Sequence, residues 1–224
     1  MTDQTAQLDW RETESGVVPI STQFDDPYYS LDNGLAETRH VFLNGNRLPE
    51  RYRDGFHIAE LGFGTGLNFL AALQCFRDAE TTGTLQFTSF EAYPMTQEDL
   101  NRALAPYTEL PIQLLDTDLT AGLNGPDFQL NLIIGDARET IQNWTGRADA
   151  WFLDGFSPAK NPELWDDRLM KQVGNHTAQN GTFATYTAAG HVRRALSEAG
   201  FDVERVLGFG RKRHMSIGTM RHAE

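Results

Sequence analysis

Short apolar runs bounded by turn residues alternate along this chain with longer segments whose apolar positions recur at helical spacing. That alternation predicts a mostly parallel sheet covered by helices on both faces. Strands are expected at residues 56–61, 85–91, 130–134, 150–153, 181–187 and 201–207, with a last one near 215–220. Seven strands fit one sheet. Helices are expected at 67–76, 97–104, 162–179 and 188–199. Thr96 is placed to cap the second of these, and Pro162 stands where a first helical turn tolerates a missing N–H. The link Gly208-Phe209-Gly210 after the sixth strand is too short for a parallel crossover, so the last strand must return antiparallel. Residues 1–53 precede the first sheet strand and are expected to form an extension or lid on a catalytic unit spanning 54–224.

In open α/β sheets, ligands bind outside the carboxyl ends of the strands, where strand order reverses. Glu60, Gly62, Gly64 and Gly66 fall at the end of the first predicted sheet strand. Glycine there permits close backbone approach, and the following helix offers free N–H groups. The spacing is Gly-x-Gly-x-Gly and not the Gly-x-Gly-x-x-Gly that cradles a pyrophosphate. A sulfonium cofactor carries no phosphates, so the short loop points to S-adenosylmethionine. Glu91 ends the second strand, where a carboxylate accepts from ribose hydroxyls or simply caps the strand. Asp136 ends the third, beside the Ala137 N–H, and is open to two roles: receiving an adenine amino group or capping the next helix. Asp154 ends an apolar strand, Ala150-Trp151-Phe152-Leu153, and leads into a loop stiffened by Pro158 and Pro162. A carboxylate in that setting needs a partner. Either Lys160 supplies it structurally, or Asp154 faces an incoming amine and the methyl donor.

Composition narrows the picture modestly. The 224 residues carry a formal charge of −12, which disfavours nonspecific nucleic-acid binding. The tail counters it locally: residues 190–222 hold Arg193, Arg194, Arg205, Arg211, Lys212, Arg213 and Arg221 against Glu198, Asp202 and Glu204. Arg211, Lys212 and Arg213 are candidates to hold RNA phosphates, with a solvated helix face and charged turn as the plainer alternative. No secretion signal or membrane span is evident, so a cytoplasmic location is expected. The lone Cys75 reads as a packed helical thiol, and the six histidines lack paired spacing for zinc, so no metal is expected.

Several segments carry a resemblance. Phe24-Asp25-Asp26-Pro27-Tyr28-Tyr29, residues 32–42, the glycine turn, Trp151-Phe152-Leu153-Asp154-Gly155-Phe156-Ser157-Pro158-Ala159-Lys160-Asn161-Pro162 and Gly208-Phe209-Gly210-Arg211-Lys212-Arg213 resemble the methyltransferase domain of the MnmC proteins and their stand-alone relatives, the MnmD proteins. The resemblance covers nearly the whole chain. It implies a class I, Rossmann-like S-adenosylmethionine-dependent methyltransferase, seven-stranded and mostly parallel with an antiparallel last strand. It further implies conversion of 5-aminomethyl-2-thiouridine at the tRNA wobble position to 5-methylaminomethyl-2-thiouridine, with the anticodon stem-loop as partner. Carried across, Asp154 becomes the catalytic aspartate, and Glu60, Gly62, Gly64, Gly66, Glu91 and Asp136 surround the methyl donor. Phe156, Pro158, Lys160 and Asn161 fall near the uridine pocket.

Bifunctional members add a flavin-dependent oxidoreductase half. No second dinucleotide motif occurs in this sequence, so methylation without the preceding oxidation is expected, coupled functionally to a separate oxidoreductase. A base taken out of the anticodon stack needs an aromatic wall, for which Phe156, Tyr186 and Tyr28 or Tyr29 are candidates. An aspartate of ordinary pKa, about 4, is a weak base, so Asp154 is expected mainly to orient the amine and stabilise developing positive charge. Two other classes stay open on the residues alone: a nicotinamide-dependent oxidoreductase using the same turn, and a noncatalytic RNA-binding module.

Overall fold

The computed structural model describes residues 5–14 and 16–222. Residues 1–4 and 15 of the expected extension and 223–224 of the expected catalytic unit lie outside them. In chain order the elements are β1 (Leu8–Thr13), β2 (Gly16–Ser21), β3 (Asp26–Pro27), α1 (Gly34–Thr38), β4 (His57–Leu61), α2 (Leu67–Asp78), β5 (Leu85–Glu91), α3 (Gln97–Leu104), β6 (Leu123–Asn124), β7 (Phe128–Ile134), α4 (Ala137–Thr140), β8 (Ala148–Leu153), α5 (Asp167–Asn175), β9 (Thr177–Thr185), α6 (Gly190–Glu198), β10 (Phe201–Leu207) and β11 (His214–Met220).

The main sheet runs β10-β11-β9-β8-β4-β5-β7-β6. Its inner pairs are parallel, and β11 inserts antiparallel between β9 and β10. The expected closing hairpin is present. The sheet has eight strands, not the expected seven, because β6 adds a two-residue antiparallel edge to β7, too short to leave a pattern in sequence. A second, three-stranded sheet, β1-β2-β3, lies ahead of it.

Period-2 alternation decides which residues meet on each face. In β8, Ala150 and Phe152 join the core shared with α2 and α3, while Trp151 and Leu153 join the core shared with α4, α5 and α6. In β4, Ile58 faces the first core and Ala59 and Leu61 the second. Glu60 and Asp154 therefore both project to the α2 side.

The expected helix at 162–179 is broken. Pro162–Trp165 form a 3₁₀ turn, the Asp166 side chain accepts from the Leu169 N–H to start α5, and Thr177 already belongs to β9. Pairing of Thr177 with Ala148, with Trp151 Nε1 donating to Thr177 Oγ1 at 3.1 Å, overrides a local sequence compatible with helix. Thr96 caps α3 as expected.

Residues ahead of β4 are tied into the core. Val41, Phe42 and Leu43 are buried, and Phe42 stacks on Phe152 at 5.3 Å. Asn46, fully buried, donates to the carbonyls of Phe42 and Trp151 and accepts from Thr182 Oγ1. Asn46→Ala removes three buried hydrogen bonds and is expected to lower the unfolding free energy by about 2–4 kcal/mol. Urea denaturation with an unchanged slope checks it.

Candidate active site

A cavity of about 650 Å³ opens at the carboxyl ends of β4, β5, β7 and β8. The glycine turn after β4 forms its floor. Gly62 has φ +83°, and a Cβ there would lie 3.5 Å from the Gly155 backbone; Gly64 has φ +53°, and its Cβ would lie 3.0 Å from the Tyr28 ring. Bare backbone in the left-handed region lets the turn pass between these walls.

Glu91 buckles that turn. It is 8% exposed, and its oxygens accept from the Gly64 N–H at 2.8 Å and the Tyr93 N–H at 2.7 Å. Burial pushes its pKa up, against the opposing pull of these amides. Asp136 takes the capping role: it accepts from the Arg138 N–H and pairs with the Arg138 guanidinium, which holds its pKa low. Asp136 and Ala137 both line the cavity.

Asp154 lies on the same wall as Gly62 and Gly64. Its Oδ1 accepts from the Gly155 N–H at 2.8 Å and its Oδ2 from Asn68 Nδ2 at 2.8 Å. Removal from bulk water, with the charge of Glu37 a lesser cause, pushes its pKa up to about 7. The ordinary carboxylate expected from sequence is therefore replaced by one poised near neutrality. Lys160 is not its partner: the ammonium donates to the Asp25 carbonyl and pairs with the carboxylates of Asp25 and Asp26.

Tyr29, Phe156, Asn161, Arg211 and Lys212 also line the cavity, whereas Glu60, Gly66, Pro158, Lys160 and Arg213 do not. Glu60 is fully buried beneath α2, where Ser89 and Asn68 donate to it. Gly66 starts α2, packed so closely that a Cβ would fall 2.6 Å from Leu115. Pro158 and Lys160 belong to a loop clasped onto the segment before it, with the Ser157 N–H donating to Asp26 Oδ2 at 2.8 Å. Arg213 is exposed in the β10–β11 turn. Tyr29 spends its hydroxyl on the carbonyls of Ala103 and Val17.

Three features escaped the sequence reading. Phe24, not among the aromatic candidates, stacks on Phe156 with ring centroids 4.7 Å apart, while Tyr28 and Phe156, which were, meet edge-on at 5.0 Å and line the cavity together with Tyr186. Lys212, a phosphate candidate, pairs with Glu37 at 2.8 Å and sits 3.9 Å from the centre of the Tyr186 ring, neither of which the sequence shows. Tyr186 in turn donates to the Gly155 carbonyl at 2.7 Å. Asn68, in the first turn of α2, had a legible signal: helical side chains point back toward the N-terminus, here toward the ends of β4 and β8. Among the described residues, no group of three or more His, Cys, Asp or Glu side chains is placed to hold a metal ion, and no helix is long and apolar enough to cross a membrane.

An antiparallel strand set next to last in a sheet that is parallel but for it and the two-residue edge β6, with a short glycine turn opening a cavity that also holds a strand-end aspartate, defines a Rossmann-like methyltransferase. Residues 98–221 match the family described as S-adenosyl-L-methionine-dependent methyltransferase. The chain belongs to that family. It is 46% identical, over 97% of its own length and 35% of the relative's, to the tRNA 5-methylaminomethyl-2-thiouridine biosynthesis bifunctional protein MnmC of Chromobacterium violaceum. The protein of the same name from a Marinomonas species is 44% identical, over 97% of this chain and 34% of the relative. The chain thus spans about a third of the length of these curated relatives. Its structure superposes on the crystal structure of MNMC2 from Aquifex aeolicus with a TM-score of 0.78 and 25% identity, covering 97% of this chain and 72% of that one. The family match sets aside the nicotinamide alternative. S-adenosylmethionine fits the residues present: bare glycine backbone, a strand-end carboxylate on the cavity wall, and a cavity within the range that encloses a small molecule.

Proposed function

We propose that the chain methylates the amine of 5-aminomethyl-2-thiouridine at the wobble position of tRNA, giving 5-methylaminomethyl-2-thiouridine. The observation that carries this reading is the position of Asp154, on the wall of one cavity shared with the glycine turn, in a chain 46% identical to a protein named for biosynthesis of that nucleoside. Gly62, Gly64, Glu91, Asp136 and Ala137 hold the methyl donor, with Gly66 and Glu60 supporting them from behind. When bound, S-adenosylmethionine supplies an electrophilic methyl group to the amine nitrogen. Asp154 orients the amine and, with a pKa of about 7, also serves as its proton acceptor near neutral pH. Phe156 and Asn161 wall the base, Pro158 and Lys160 shape their loop, and Tyr29 braces the opposite side. Functional coupling to a flavin-dependent oxidoreductase belongs to the same reading, since the relatives are named bifunctional.

The test is incubation with methyl-labelled donor and tRNA from cells lacking the modification, followed by nucleoside mass spectrometry. Label in 5-methylaminomethyl-2-thiouridine is expected; label elsewhere or absent from RNA overturns the reading. Arg211 and Arg213, both exposed at the β10–β11 turn, are assigned to anticodon phosphates. Replacing both by alanine is expected to weaken tRNA binding and flatten its dependence on log salt by about one for each phosphate no longer neutralised, with donor affinity unchanged. Filter binding across a salt series checks it.

A further inference from the structure

Asn68 is 6% exposed in the first turn of α2, where an asparagine ordinarily faces water or caps backbone. Its amide offers two N–H donors and one carbonyl, and all three are engaged. Nδ2 donates to Glu60 Oε1 at 2.9 Å and to Asp154 Oδ2 at 2.8 Å, while Oδ1 accepts from Thr38 Oγ1 at 2.8 Å. Turning the amide over would set its carbonyl between two carboxylates, which accept only, so Glu60 and Asp154 fix its sense. Thr38 holds the carbonyl end from α1. Behind the pair, Ser89 Oγ donates to Glu60 Oε2 at 2.7 Å, so the carboxylate that anchors Asn68 is itself held. The register explains the convergence: Glu60 lies opposite Ser89 on β5 and Phe152 on β8, two residues before Asp154 on the same face.

We infer that Asn68, held by Thr38 and anchored on Glu60, is a positioning residue that fixes the plane of the Asp154 carboxylate and favours its proton-accepting form; this rests on the methyl-transfer reading above. Asp154 Oδ1 is already fixed by the Gly155 N–H, so the Asn68 hydrogen bond removes the remaining rotation about the carboxyl group. The carboxylate then meets the cavity in one orientation.

The experiment follows the Asp154 carboxyl by ¹³C NMR titration, with Asp154→Asn assigning the signal, beside the pH profile of kcat/KM. Asn68→Ala removes a donor to the ionised form. The carboxyl midpoint and the acid limb of the profile are both expected to move to higher pH, by about one unit or more. Thr38→Val leaves the carbonyl end of the amide unheld, loosens its bond to Asp154 and moves both the same way by less, while Thr38→Ser keeps the hydroxyl and restores the wild-type values. Reduced turnover at every pH with both midpoints unmoved overturns the inference, leaving Asn68 as packing. Should Asn68→Ala fail to fold, the two Thr38 variants decide by the same criteria. A carboxyl that shifts as described in a protein inactive on tRNA supports the positioning role and overturns the proposed function.

Discussion

Asp154→Asn is expected to reduce single-turnover methyl transfer by about 10²- to 10⁴-fold, the range attached to a positioned general base, while donor binding persists. The amide is the same size and fits between the Gly155 N–H and Asn68 Nδ2, but its NH₂ must face one of these two donors. It cannot accept the amine proton, and it offers no charge to stabilise a nitrogen turning cationic. Calorimetric titration of the donor and single-turnover rates on undermodified tRNA separate the two effects. A variant that binds the donor and transfers methyl at close to the wild-type rate removes Asp154 from the chemistry. The raised pKa also has a cost for the fold. Native Asp154 retains a proton that the unfolded chain releases, so its contribution to stability is complete below about pH 4 and is lost as pH rises through about 7.

Glu91→Ala is expected to weaken S-adenosylmethionine binding by about 10²- to 10⁴-fold. Two backbone donors, the N–H groups of Gly64 and Tyr93, lose a buried carboxylate acceptor, each at about 1.5–3 kcal/mol. The Gly64 N–H sits within the turn that forms the cavity floor, so the loss acts on the donor site directly as well as on the fold. Thermal unfolding should fall in parallel, and Glu91→Gln, which keeps one carbonyl acceptor, should lie between. Calorimetry is the check: an alanine variant within about threefold of the wild-type dissociation constant contradicts the role given to Glu91.

The parallel strands were legible because burial on both faces leaves near-continuous apolar runs, as in Ala150-Trp151-Phe152-Leu153. Asp154 was legible for the same reason: the run ends on a carboxylate. The antiparallel return of β11 followed from the short link before it. What escaped was decided by partners distant in sequence. Lys212 meets Glu37 across 175 residues, and nothing local in the basic tail distinguishes that lysine from Arg211 or Arg213. Thr177 leaves a helical context only because β8 offers it a pairing. Glu60 and Gly66 fall inside the right motif yet off the cavity wall, since Glu60, level with Phe152, lies two residues deeper than Asp154 beneath α2, and packing against Leu115 commits Gly66 to the helix start. The elevated pKa of Asp154 depends on its enclosure, which composition cannot convey.

The most direct measurement is the pH dependence of single-turnover methyl transfer to undermodified tRNA at saturating S-adenosylmethionine, for wild type and Asp154→Asn together. The wild-type rate is predicted to climb with pH to a plateau with a midpoint near 7, and the variant to be slow and to lack that limb. A limb of the same midpoint in both proteins would assign it to the substrate amine, and with an undiminished variant rate would contradict a carboxylate poised in the shared cavity.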